Sequence, residues 1–67
     1  MLDVKFSPKE LAILELLASG FTNEEISEKL SLSKRTVEGI RANMIIKTKS
    51  RNTAGLVAYG FRSGLLV

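Results

Sequence analysis

Twice in its first 30 residues the chain carries the same helix-start signature. Ser7-Pro8-Lys9-Glu10 and Thr22-Asn23-Glu24-Glu25 each place a hydroxyl three residues ahead of a glutamate. At that spacing the hydroxyl accepts the third helical N–H while the carboxylate reaches back to the capping residue's own N–H. Two of the N–H groups that a helix start leaves unpaired are satisfied together. Pro8 suits the first helical position, where a missing N–H costs nothing. Leu11, Leu14 and Ala18, with Ile13 and Leu17, then recur at helical spacing, and Gly20 supplies a residue that tolerates a positive φ. The spacing predicts a first helix over 8–19. After the second signature, Ile26 and Leu30 mark a short helix over 23–30. Only Ser31-Leu32-Ser33 separates it from the next start, which Ser33 caps. Val37, Ile40, Met44 and Thr48 give a third helix, 34–49, its inner stripe, until "SRN" breaks it. Asn52 caps a fourth over 53–63, closing at Gly64. No segment alternates with period two, so the fold class is all-α, a four-helix bundle.

The chain is one domain spanning 1–67, near the lower limit for a self-sufficient core. It has no Cys and no His. Disulfides, thiolate metal sites and the commonest general base are therefore excluded, and stability must come from helix packing or from a second copy. The acids are scattered over helix surfaces, so no nucleophile, base or metal site can be assembled. No catalysis, cofactor or small-molecule ligand is expected. An apolar fraction of 45% is that of a folded domain rather than a disordered one. No apolar run approaches the roughly 20 residues that span a bilayer. The N-terminal "MLDVKF" lacks a basic region followed by an apolar stretch, so no signal peptide is read and a cytoplasmic location is expected. There is no internal repeat, linker or low-complexity segment.

Net charge is only +3, but its distribution is uneven. Residues 1–30 sum to −3 and residues 31–67 to +6, the latter with Glu38 as their single acid. Such asymmetry is a footprint of polyanion contact. The alternative is a solvated basic face with no partner. Two helices joined by a three-residue turn, the second starting with cations and hydroxyls, match the geometry of a DNA-binding helix-turn-helix, here about 23–42. The free N–H groups and positive dipole end of the third helix favour phosphate, and Ser33, Lys34, Arg35 and Thr36 cluster there.

The stretches "SPKELAILELLASGFTNEEIS", "LSKRTV", residues 43–47 and "RNTAGLV" together resemble the LuxR-type helix-turn-helix domain of bacterial transcription regulators, over almost the whole chain. That domain closes the chain of many response regulators and quorum-sensing receptors. The resemblance implies sequence-specific binding of double-stranded DNA. The positions after "TV", here Glu38, Gly39 and Ala42, would read bases. Glu38 would accept from a cytosine amino group, and Gly39 would let the backbone approach closely. Phosphate would be held by Lys34, Arg35, Thr36, Arg41 and Lys47, with Ser33 at the helix start and Thr22 and Asn23 at the start of the second helix. The alternatives are an ion pair of Glu38 with Arg35 or Arg41, and Gly39 as a tolerated defect. The chain departs from the family's usual pattern with Ile40 for a His, Thr48 for a Leu and Ser27 for an Ala. Thr48 is expected to loosen the last turn of the third helix, and Ser27 to fit the helix crossing.

The fourth helix reads as two-faced. Ala54, Val57, Ala58 and Phe61 form one row, and Leu56, Tyr59 and Gly60 another. One face packs on the first and third helices. The other suits a weak homodimer, which the resemblance also implies. The alternative folds Phe61, Leu65 and Leu66 back on the first helix. A rival reading of the whole chain is a protein-interaction or dimerisation module of the same fold that contacts RNA polymerase or another regulator.

Overall fold

The structure, a computed structural model, describes residues 4–67. The first three residues of the "MLDVKF" segment lie outside the described residues. Four helices follow one another: α1 (Pro8–Ala18), α2 (Asn23–Leu30), α3 (Lys34–Lys47) and α4 (Thr53–Arg62). Among the described residues there is no strand. Helices α1 and α3 form the centre. Each packs on the other and on both outer helices, while the backbones of α2 and α4 do not approach each other closely.

The four expected caps are all present. Ser7 and Thr22 accept from the amides of Glu10 and Glu25, and both glutamates return a bond to the capping residue's N–H. Ser33 accepts from Thr36 N–H, and Asn52 from Gly55 N–H. Gly20 and Gly64 take φ values of 91° and 85°, as the turns after α1 and α4 require.

Helix α2 ends at Leu30 as expected, while the other three C-termini fall short, most in α3, which stops at Lys47 rather than at residue 49. Thr48 becomes the cap and Lys49 turns into the left-handed region, φ 57°. Lys49 N–H then bonds to Ile46 O at 3.1 Å and Ser50 N–H to Ile45 O at 3.0 Å, which closes the helix with a Schellman turn. Thr48 does not loosen this end. Its hydroxyl lies 2.7 Å from Met44 O and 2.7 Å from Ser50 Oγ. In α1 and α4 the last expected residues, Ser19 and Ser63, are likewise caps rather than helix. Ser31 takes φ 55°, and this one left-handed residue folds the turn between α2 and α3.

Every helix supplies the core: Ile13 and Leu14 from α1, Ile26 from α2, Val37 and Met44 from α3, and Leu56 from α4. Leu66, beyond α4, completes it. It folds back to lie over Gly60, whose missing side chain makes the room. A Cβ there would sit 2.6 Å from Leu66 Cδ1 and 3.2 Å from Leu14 Cδ2. Ser27 is buried at the helix crossing, and its hydroxyl donates to Glu24 O at 2.7 Å, so no buried polar group is left unpaired there. Among the described residues no helix is long and apolar enough to cross a membrane.

Candidate nucleic-acid interface

Val37, Ile40 and Met44 turn inward as their spacing predicts. At 3.6 residues per turn the opposite side of α3 then carries Arg35, Glu38, Gly39, Ala42, Asn43 and Ile46. All six are exposed. A Cβ built on Gly39 meets nothing within 4 Å, so no packing within the chain asks for glycine there. Glu38 has no ion-pair partner among the described residues. The two pairs present are Lys34–Glu24 and Lys47–Glu10. The three expected base-reading positions therefore stand free on one face.

The first turn of α3 gathers two hydroxyls and two cations at a helix N-terminus. Ser33 Oγ accepts Thr36 N–H at 3.0 Å and donates to Thr36 Oγ1 at 2.9 Å. That leaves the Thr36 hydroxyl proton to point elsewhere. Lys34, Arg35 and Thr36 are exposed. Lys34 Nζ reaches 4.0 Å from Glu24 Oε1, which sets the first turns of α2 and α3 within one side chain's reach of each other. Both partners are largely exposed, so the pair adds little stability. At α2, Thr22 Oγ1 accepts Glu25 N–H and retains its own proton for an outside acceptor. Asn23 is half-buried, and its Oδ1 is buried with no hydrogen-bond partner among the described residues. Arg41 is half-buried at the margin of the exposed row.

Lys47 stands apart from the other expected phosphate contacts. Its ammonium bonds to Lys5 O at 2.8 Å and to Glu10 Oε1 and Oε2 at 3.0 and 3.1 Å. It also lies 5.2 Å from the centre of the Phe6 ring, a cation–π distance. Burial works against ionisation of Glu10. The Ser7 amide, the Lys47 ammonium and the Ser7 hydroxyl outweigh it and hold the carboxyl below its ordinary value. The end of α3 is thereby tied to the segment that leads into α1.

On α4, Ala54, Ala58 and Phe61 are exposed, Phe61 to 50%. Val57, the fourth member of that row, is half-buried and packs against the core. Leu66 takes the fold-back position, Leu65 is half-buried beside it, and Phe61 remains outside. The sequence reading did not single out Ile46, which is 72% exposed. Its signal was present, since 39, 42 and 46 follow helical spacing on the polar side.

A family model described as bacterial regulatory proteins, luxR family, matches residues 4–59, most of the chain. The chain belongs to the luxR family. Within it, the probable transcriptional regulator ycf29 of Cyanophora paradoxa is 38% identical over 65 residues, covering 97% of this chain and 31% of that protein. The ycf29 protein of Pyropia yezoensis is 38% identical over 63 residues, 94% of this chain and 28% of its own length. The oxygen regulatory protein NreC of Staphylococcus aureus (strain JH9) is 40% identical over 60 residues, 90% of this chain and 28% of its own. The chain thus spans less than a third of the length of these luxR-family relatives.

Proposed function

We propose that the chain is one DNA-binding domain of a transcription regulator, carrying a helix-turn-helix over about 23–42, and that it recognises double-stranded DNA by sequence. Helix α3 lies in the major groove. Lys34, Arg35 and Thr36, with Thr22 and Asn23 at the start of α2, hold phosphates, and Glu38, Gly39 and Ala42 face base edges. The observation that carries the reading is the exposed row of α3, which is opposite its buried row and free of ion-pair partners among the described residues. An acid is compatible with that row because discrimination, not affinity, is its task. A single helix reads few base pairs, so two copies meet weakly through the exposed Ala54, Ala58 and Phe61 of α4 on paired half-sites. The named relatives are called a probable transcriptional regulator, in two cases, and an oxygen regulatory protein, which supports the same reading.

The test is fluorescence anisotropy with a selected duplex and a random one, across a salt series. Arg35→Ala is expected to weaken both alike and to reduce the salt slope by about one unit. Unchanged binding of Arg35→Ala to random duplex would overturn the proposed docking.

A further inference from the structure

Ile46 is 72% exposed, whereas Val37, Ile40, Met44 and Ile45 of the same helix are buried or half-buried. Nothing inside the chain asks for isoleucine at this position. It fills no gap in the core, and a β-branched residue is a weaker helix former than the polar residues suited to a solvated face. Its row on α3 runs Arg35, Gly39, Ala42, Ile46, at offsets of four, three and four residues. The row is low in the middle and tall at its ends. Those ends are 11 residues apart in sequence, about 16 Å along the axis. A helix laid lengthwise in the major groove can settle on Gly39 and Ala42, and that settling brings Ile46 down to the base edges.

An aliphatic side chain has no donor or acceptor. The feature of the major-groove edge that it matches is the C5-methyl of thymine. The surroundings favour nucleic acid over another copy of the chain. Lys34, Arg35, Arg41, Lys49 and Arg51 stand on α3 or just beyond it, against Glu38 as the single acid, so a second copy would bring like charge to the same face. We propose that Ile46 is a specificity-determining residue that packs on one thymine methyl per half-site, at the end of the site nearer the C-terminus of α3. The proposal rests on the groove docking described above and names a contact within it.

The experiment is site selection from randomised duplex with wild type and Ile46→Ala. Anisotropy then follows on the wild-type site, with each thymine replaced in turn by deoxyuridine, which removes only the methyl. One replacement per half-site is expected to weaken wild-type binding about fourfold, the worth of one buried methyl. Ile46→Ala is expected to bind the thymine and uridine duplexes equally. Its circular dichroism should be unchanged, because the residue is exposed and alanine is the better helix former. The proposal is overturned if every uridine replacement costs Ile46→Ala what it costs wild type. It is equally overturned if the substitution instead abolishes self-association without DNA, which would make this face a contact between copies. If wild type selects no sequence at all, the groove docking itself is wrong. That failure is distinct, because in the other two cases wild type still selects a site.

Discussion

Gly39→Ala separates folding from recognition, because the two should respond with opposite sign. Gly39 lies within α3, is exposed, and has open space where a Cβ would stand. The methyl therefore meets no clash, and the helix regains the propensity that glycine forfeits, about 0.8–1.0 kcal/mol. For a domain of this size that corresponds to a melting temperature higher by roughly 3–8 °C, read by far-ultraviolet circular dichroism. If the backbone at Gly39 approaches the base edges, the same methyl intrudes there. Loss of one well-made base contact costs about 1–3 kcal/mol, or roughly 5- to 150-fold in affinity for the selected duplex. Binding to random duplex, which is held through phosphates, should change little. A variant that is more stable and binds its site as wild type does would show Gly39 to be a tolerated defect. A lower melting temperature would refute the reading of the α3 surface itself.

Gly60→Ala is expected to go the other way and lower the melting temperature. The overpacking cost against Leu66 and Leu14, about 1–3 kcal/mol, exceeds the propensity gain. In a Leu66→Ala background the same change should become neutral or stabilising, which a double-mutant cycle by urea denaturation measures. Glu10 titrates below its ordinary value of 4.5 when folded. The unfolded chain therefore binds the proton first as pH falls, so this contribution is present above the unfolded value and is lost as pH drops through the folded one. Urea midpoints of Glu10→Gln should accordingly lack the pH dependence that wild type shows as pH falls from the unfolded value through the folded one. Ala58→Asp, on an exposed position of α4, should leave the fold helical while reducing binding to a two-half-site duplex far more than to one half-site. Equal losses on both would place the dimer contact elsewhere. Val57 is the poorer probe, since it packs against the core.

What the sequence revealed best was whatever a residue does with its near neighbours. Ser7, Thr22, Ser33 and Asn52 cap through bonds that span three residues, so the chemistry and its spacing are written side by side. The end of α3 was read two residues late because no glycine marks it. A lysine takes the left-handed position instead, and that choice depends on the Schellman turn around it. The exposed and buried rows of α3 followed from periodicity. The fate of Lys47 did not, because its partners lie 42 and 37 residues away in sequence and only the packing of α1 on α3 brings them together. Likewise the sequence left open whether Phe61, Leu65 and Leu66 fold back on the first helix, and of the three it is Leu66 that is buried. The notch at Gly60 decides it, and a notch is a property of two elements at once.

The grip on Lys47 has a thermodynamic corollary. An ammonium has three protons to donate, and three acceptors of this chain stand within 3.1 Å of it. A phosphate oxygen can take Lys47 only in competition with Lys5 O and the Glu10 carboxylate. Competition for one group is reciprocal: whatever factor the N-terminal segment subtracts from that phosphate contact, the phosphate subtracts from the hold on the segment. Substitutions at Phe6 or Glu10, far in sequence from the end of α3, would then register as a change in how tightly the last turn of α3 can hold a polyanion.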